Sequence, residues 1–277
     1  MSVLVCVPVY NGFASVERCL AALVEARVAT PFRTLIINDA STDDRIAPLL
    51  NAHCLAQPLQ SHTQVRHNAS NRGFTRNVNQ AFTAARADEH VCLLNSDALV
   101  TTGWLDEMLR CIARDAGIGT VTPFSNNATI CSLPDFSCAW PVPAPAERER
   151  IARTLRETPA APIDLPTGVG FCMLISAACR MSVGDFDVEN FPRGYGEEND
   201  FCMRAIAAGL RNVLCTTAYV AHVGGVSFSD STRALMEVGA ARLLAKHPGY
   251  DAAVADWIAR DPARARREDI ARLLQRQ

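Results

Sequence analysis

Four short apolar runs in the first half of the chain each give way to a polar turn and then to a stretch with helical periodicity. Val3 to Tyr10 and the segments RTLIIND, TQVRHN and HVCLLN read as strands. The helices follow as VERCLAALVEAR behind an N-cap at Ser15, a segment from about Asp43 to His53, FTRNVNQAFTAARA and GWLDEMLRCIARD. In the first of these, Val16, Leu20, Leu23 and Val24 fall on one face, the mark of an amphipathic helix. Strands alternating with helices at this rhythm demand βα crossovers and a mainly parallel sheet. In such a sheet ligands bind where strand C-termini open into loops. The polar clusters YNG, NDASTDD, HNASNRGF and NSD all sit at such ends. Loops after strands are polar in any case, which explains part of this pattern. The choice of groups suited to a nucleotide and a metal is the remainder.

After a fifth strand, GIGTVTPF, the segment from Ser125 to Pro166 changes character, and prolines bracket one charged helix in PVPAPAERERIARTLRETPAAP. It reads as an excursion that covers a cleft. LPTGVGFCMLIS returns as a buried strand, GYGEEND opens a helix that ends near Gly209, and NVLCTTAYVAHVGG gives a last strand ending in His222. Two or three amphipathic helices follow from about Ser231. With 277 residues, 49% of them hydrophobic, the chain can bury a substantial core. A net charge of -2 supplies no global field for nucleic acid, so no nucleic-acid partner is expected. Eleven cysteines, odd in number and without a CxxC pair, suit buried, reduced thiols in a cytoplasm rather than a disulfide framework or a zinc site. The N-terminus lacks the pattern of a signal peptide, and the longest mainly apolar run, Gly168 to Cys179, is shorter than the roughly 20 residues of a membrane-spanning helix. A soluble, cytoplasmic protein is expected, with room for peripheral contact at the inner membrane.

VCVPVYNG, LIINDASTDD, NRGF, LLNSDALV and GYGEENDFCMRA occur in the order and approximate spacing of family 2 glycosyltransferases with the GT-A fold. The chain resembles that family over about its first 230 residues, most closely the bacterial enzymes that build O-antigen and related surface glycans. The resemblance implies an α/β fold in which a Rossmann-like nucleotide-binding half, residues 1–124, and an acceptor half, residues 125–230, share one mixed, mainly parallel sheet. Residues 231–277 would form a C-terminal helical extension. It also implies an inverting, metal-dependent transfer of a sugar from a UDP- or dTDP-sugar to a hydroxyl of a glycan or lipid-linked saccharide.

Individual residues carry over position by position. NSD stands where the family has its DXD motif, so Asp97 matches the usual direct ligand of Mn²⁺ or Mg²⁺, while Asn95 replaces the first Asp and removes a charge; Ser96 lies between them. His222 matches a histidine that completes the metal site and would favour Mn²⁺ somewhat, although a strand-end histidine is more often only a polar terminus. Asp39 matches the carboxylate that reads the base, with Pro8 and Tyr10 lining it and Asn71 nearby. Arg76 either neutralises diphosphate or is a solvated helical arginine. Gly168 lies in a small-residue segment close to donor and acceptor, or marks a bulge. Glu198 matches the catalytic base, with Glu197 and Asp200 beside it; equally, acidic residues in a first helical turn gain about 0.3 to 1 kcal/mol each from the helix dipole. Crowding of Glu197 and Glu198 would raise one pKa and make a better base. Trp104, Asn126, Asn127 and Arg193 are candidates for acceptor contact. Two other readings compete: a GT-A module that binds nucleotide or glycan without catalysis, suggested by Asn95, and a nicotinamide-dependent dehydrogenase, which the missing GxGxxG disfavours.

Overall fold

The computed structural model describes residues 2–56, 62–224 and 230–276. The first half runs β1 (Val3–Val9), α1 (Phe13–Glu25), β2 (Arg33–Asn38), α2 (Ile46–Ala56), β3 (Thr63–His67), α3 (Phe74–Ala84), β4 (His90–Leu94), β5 (Ala98–Leu99), α4 (Trp104–Arg114) and β6 (Ile118–Phe124). The second half runs α5 (Pro145–Glu157), β7 (Ile163–Leu165), β8 (Cys172–Ile175), α6 (Ala177–Val183), α7 (Glu197–Ala207), β9 (Arg211–Tyr219), β10 (Ala221–His222), α8 (Asp230–Lys246), α9 (Tyr250–Arg260) and α10 (Arg264–Arg276).

Eight strands form one mixed sheet in the order β3-β2-β1-β4-β8-β6-β9-β7. β1 to β4 are mutually parallel, as is the pair β6 and β9, whereas β8 runs antiparallel between β4 and β6 and β7 antiparallel to β9. β1 explains why its sequence is apolar without a break. Val3, Val5, Val7 and Val9 enter one core with Trp104, Phe124 and Tyr219, and Leu4 and Cys6 enter a second with Phe82, Phe186 and Phe201. Period-two side chains on a sheet covered on both faces leave no solvent side for polar residues. Each such side chain contributes about 1.5 to 3 kcal/mol by burial, and Ile36→Ala, at a fully buried site, would cost about 2 to 5 kcal/mol.

Several expectations need correction. α1 starts two residues before Ser15, from a left-handed Gly12 with no side-chain cap, and its buried face is Val16, Cys19, Leu20 and Ala22, leaving Val24 59% exposed. α2 begins at Ile46 because Asp43 caps a separate turn, accepting from the Arg45 amide at 3.1 Å. LPTGVGFCMLIS is not one strand: β7 ends at Leu165 and β8 begins at Cys172, with a turn at Pro166 to Phe171. The last strand likewise divides at Val220, whose amide bonds to the Phe124 carbonyl, so that β10 can leave the main sheet and pair with β5. β5, at two residues, is too short to carry a sequence pattern, and α6 is also unanticipated.

The segment from Ser125 to Pro166 does not cover a cleft. It forms a 3₁₀ turn at Thr129–Cys131, then α5, which buries Ile151 and Leu155 against β9 and α10, and then β7, which joins the edge of the main sheet beside β9. Three helices follow β10, and the last two pack on the core: Trp257 of α9, Ala263 of the turn after it and Ile270 of α10 belong to the larger apolar cluster, while α8 is mostly exposed. Arg267, 3% exposed, donates to the carbonyls of Ile130 at 2.6 Å and Ser132 at 2.9 Å, fastening α10 to the 3₁₀ turn. The expected boundary at residues 230 and 231 adjoins 225–229, which lie outside the described residues. Among the described residues no helix is long and apolar enough to cross a membrane. None of the eleven cysteines is in a disulfide; nine are buried, and Cys138 is exposed.

Candidate active site

β2, β1 and β4 are neighbours in the sheet, so the loops after them share one rim. Together with the first turn of α7 and with β10 they enclose an open cleft of about 590 Å³. One end is organised by Asp39, 2% exposed at the tip of β2. Its Oδ1 accepts from Asn68 Nδ2 and the Arg72 amide, each at 2.8 Å, and its Oδ2 accepts from the Gly73 amide at 2.9 Å. Gly73 has φ +83°, and a Cβ there would stand 2.5 Å from the Pro192 carbonyl oxygen, so the loop can pass only as glycine. Asn11 Oδ1 accepts from the Thr42 and Asp43 amides at 2.8 and 3.0 Å, tying the loop after β1 to the loop after β2. Pro8, Tyr10, Asn71 and Asn77 line this end, Tyr10 being 52% exposed.

Asp97 lies in the turn between β4 and β5, which the Ala98 amide closes onto the Asn95 carbonyl at 3.0 Å. Because β10 pairs with β5, placing His222 opposite Ala98, the carboxylate and imidazole face each other, with Nε2 and Oδ1 3.4 Å apart. The ring is held from behind: Nδ1 is 2.7 Å from the Asn127 carbonyl oxygen, and Phe171 stacks on it at 5.1 Å between centroids and 28°. Asn126 clasps the His222 backbone through its amide group, accepting at 2.8 Å and donating at 2.9 Å. A carbonyl oxygen only accepts, so Nδ1 carries a proton and Nε2 of the neutral ring turns its lone pair toward Asp97. Burial works against both charges, yet each group outweighs it for the other. The Asp97 pKa is lowered and that of His222 is raised.

This donor set fits a divalent cation. A carboxylate and an oriented imidazole suit Mn²⁺, and the carboxylate suits Mg²⁺. Among the described residues no cluster of three His, Cys, Asp or Glu side chains is placed to hold a metal, so further coordination would fall to ligand oxygens and water.

On the other wall, Glu197 and Glu198 open α7. Gly194, Tyr195 and Gly196 have φ of +98°, +66° and +124°, a turn tight enough to bring the helix N-terminus up to the cleft. Glu197 is 4% exposed; Glu198 faces Gly170, where a Cβ would lie 3.6 Å from its carboxyl carbon. Neither Oε2 has a hydrogen-bond partner. Burial, reinforced by the Glu198 charge, pushes the Glu197 pKa well above the carboxylate range, and burial raises Glu198 as well. Two such groups keep a proton that isolated carboxylates would have released.

Three of the expected site residues do not line the cleft. Arg76 is exposed, because α3 turns Thr75, Asn77 and Val78 inward and the position between them outward. Gly168 lies behind the wall, donating its amide to Cys202 Sγ at 3.1 Å; Val169, Gly170 and Phe171 form the lining instead. Asp200 is fully buried away from the cleft, where its carboxylate meets Arg204 Nε at 2.9 Å, Lys246 Nζ at 2.6 Å and His247 Nε2 at 2.8 Å, bolting α8 to α7. Of the acceptor candidates, Arg193 lines the cleft, Trp104 is buried in the core, and Asn126 and Asn127 support His222 from behind. Pro8, Tyr10, Asp39, Asn71, Asn95, Ser96, Asp97, Glu197, Glu198 and His222 all border the one cleft. The sequence reading missed Asn77, Tyr195 and Leu235, which also line it, and within the segment Thr167 to Phe171 it singled out Gly168 rather than Phe171. Asn77 carried a signal, as a polar residue on the apolar face of α3; Leu235 had none, since only the docking of α8 brings it there.

The profile of the family described as Glycosyl transferase family 2 matches residues 4–179, well over half of the chain. Three solved structures share its fold at low sequence identity. GalNAc-T7 with UDP, GalNAc and Mn²⁺ superposes with a TM-score of 0.64 at 15% identity, covering 98% of this chain and 54% of its own, so the chain spans only about half of that protein. The mannosyltransferase PcManGT from Pyrobaculum calidifontis, in complex with GDP-Man and Mn²⁺, gives 0.63 at 15% identity, covering 97% of this chain and 73% of its own. S. aureus TarS 1-349 in complex with UDP-GlcNAc gives 0.58 at 15% identity, covering 93% and 72%.

Proposed function

Because the chain belongs to glycosyl transferase family 2, we propose that it moves a sugar from a UDP- or dTDP-sugar to an acceptor hydroxyl with inversion, Glu198 acting as base and Asp97 with His222 holding Mn²⁺ or Mg²⁺. The observation that carries this reading is the convergence of Asp39, Asp97, His222 and Glu198, from four separate elements, on one cleft. Bound there, the cation would offset charge on the departing diphosphate as a Lewis acid.

The state of Asp39 bears on the base. Oδ1 already accepts two hydrogen bonds and Oδ2 one, which leaves a single good position on Oδ2. One free lone pair suits the single N3–H of uracil or thymine, whereas guanine presents two adjacent N–H groups that call for a bidentate carboxylate. Tyr10, half exposed at the end of β1, offers a face for the base. Glu198 is half-buried and lines the cleft across from Asp97, where its carboxylate can accept the proton of an attacking hydroxyl, while its Oε2 is buried without a partner. The acceptor oxygen forms its bond to the anomeric carbon while the bond to the diphosphate oxygen breaks. The proton passes to Glu198, and no covalent enzyme intermediate is required. A raised carboxylate pKa strengthens the base, and such catalysis contributes about 10²- to 10⁴-fold. A glycan or lipid-linked saccharide of a bacterial surface polysaccharide as acceptor, and a cytoplasmic setting consistent with the free thiols, belong to the same proposal.

The test is a thermal-shift ranking of UDP-, dTDP- and GDP-sugars with Mn²⁺, followed by donor hydrolysis and transfer assays on wild type, Glu198→Gln and His222→Ala. We expect pyrimidine donors to shift the melting temperature most. Glu198→Gln should keep donor binding and lose about 10²- to 10⁴-fold in turnover, and His222→Ala and EDTA should each abolish it. Preference for GDP-sugars would overturn the base assignment. Donor binding with neither hydrolysis nor transfer would make the protein a binding module, as the Asn95 substitution allows.

A further inference from the structure

Four carboxylates line the cleft, Asp39, Asp97, Glu197 and Glu198, and against them stands one permanently charged cation among the described lining residues, Arg193. A nucleoside diphosphate entering such a site meets a repulsive field unless positive charge is provided at its phosphates. Arg193 is placed for that. Its Nη1 lies 3.3 Å from Asn71 Oδ1, on the same loop whose Arg72 and Gly73 amides Asp39 holds. The next residue, Gly194, bridges toward the reacting end: a Cβ there would be 3.6 Å from Phe74 Cβ and 3.7 Å from both oxygens of Glu197. Arg193 therefore sits between the base-reading carboxylate and the catalytic pair, where the phosphates of a donor spanning the two would lie. Arg76, the other arginine considered for this task, is exposed and outside the lining.

We propose that Arg193, oriented by Asn71, is the protein's own grip on the diphosphate of the donor, rather than an acceptor contact. The proposal rests on the nucleotide-sugar reading above. A guanidinium matches phosphate oxygens in a bidentate fork, and its hydrogen bond to Asn71 links the grip to the loop that Asp39 fixes. Acceptor recognition is thereby left to the α7–α8 side of the cleft, where Tyr195 and Leu235 are exposed to it.

The experiment is calorimetric titration of wild type, Arg193→Ala and Arg193→Lys with UDP, UMP and uridine in the presence of Mn²⁺. Because Arg193 is exposed, neither variant threatens folding. Arg193→Ala should weaken UDP about 10- to 100-fold, leave uridine within twofold, and weaken UMP by an intermediate factor. Arg193→Lys should restore part of the UDP loss, as a point charge without the fork. Unchanged UDP affinity in Arg193→Ala would overturn the proposal and return Arg193 to the acceptor side. An equal loss for UDP and uridine would also overturn it, showing that Arg193 only supports the base pocket. Failure of the wild type to bind UDP or uridine at all would instead sink the nucleotide reading itself, a distinct result.

Discussion

Asp200→Asn separates a structural carboxylate from the proposed catalytic pair, Glu197 and Glu198, three and two positions earlier in the same helix. Asp200 is fully buried, and it binds three basic side chains, two of them from the end of α8 and the residue after it. Removing one partner of a buried ionic cluster costs about 3 to 5 kcal/mol when the others are left stranded. Here Arg204, Lys246 and His247 are 25%, 31% and 16% exposed, and Lys246 keeps Asp187 at 2.7 Å, so the loss is tempered to about 2 to 4 kcal/mol. With unfolding entropy of about 2.1 cal/mol/K per residue over 277 residues, 3 kcal/mol corresponds to a fall of about 5 °C in melting temperature. Burial opposes the charge of Asp200, but hydrogen bonds from Lys246, His247 and Arg204 outweigh it and hold its pKa below the aspartate norm. A lowered folded pKa contributes stability that is present above the unfolded value near 3.9 and is lost as pH falls through the folded one. The gap between wild type and variant should therefore be constant from about pH 8 to 5 and narrow only below about 4. Differential scanning calorimetry across that range, with UDP titration at pH 7, is the assay. We expect the melting temperature to fall while UDP affinity stays within twofold. A variant that melts within 1 °C of wild type yet loses turnover 10²-fold would refute the argument and restore Asp200 to the catalytic set.

Glu197→Gln should stabilise the fold increasingly as pH rises from 5 to 8, because a carboxyl whose folded pKa is raised binds more protons folded than unfolded and so loses stability with pH; a melting curve that does not depend on this substitution at pH 8 would contradict the burial argument. Gly239→Ala ought to gain about 1 kcal/mol from helix propensity, yet its Cβ would fall 1.9 Å from the Tyr195 carbonyl oxygen, a backbone atom that cannot swing aside. Overpacking should win, lowering the melting temperature by about 2 to 5 °C; a rise would mean that α8 is free to shift.

What the sequence determined is the first half of the sheet and the chemistry of its rim. β1, β2 and β4 were legible because strands buried inside the sheet are apolar almost without interruption, while the edge strand β3, TQVRH, was legible mainly from its place in the strand-helix rhythm; each is followed by a helix. Asp39 and Asp97 stood out for the same reason, as carboxylates at the ends of such runs. Glu197 and Glu198 were marked by a glycine-flanked helix start, though helix capping would have produced the same letters. Tertiary structure decided the rest. Whether a residue beside a motif faces the cleft depends on helix phase and on the turn before it, and so Arg76, Gly168 and Asp200 fell outside while Phe171, Asn77 and Tyr195 fell within. The meeting of Asp97 with His222 rests on β5 and β10, two residues each, too short to leave any periodic trace. Leu235 and the bolt formed by Asp200, Lys246 and His247 come from the docking of α8, a contact between segments far apart in sequence that no local pattern encodes, because side-chain burial is fixed only once the distant surface arrives.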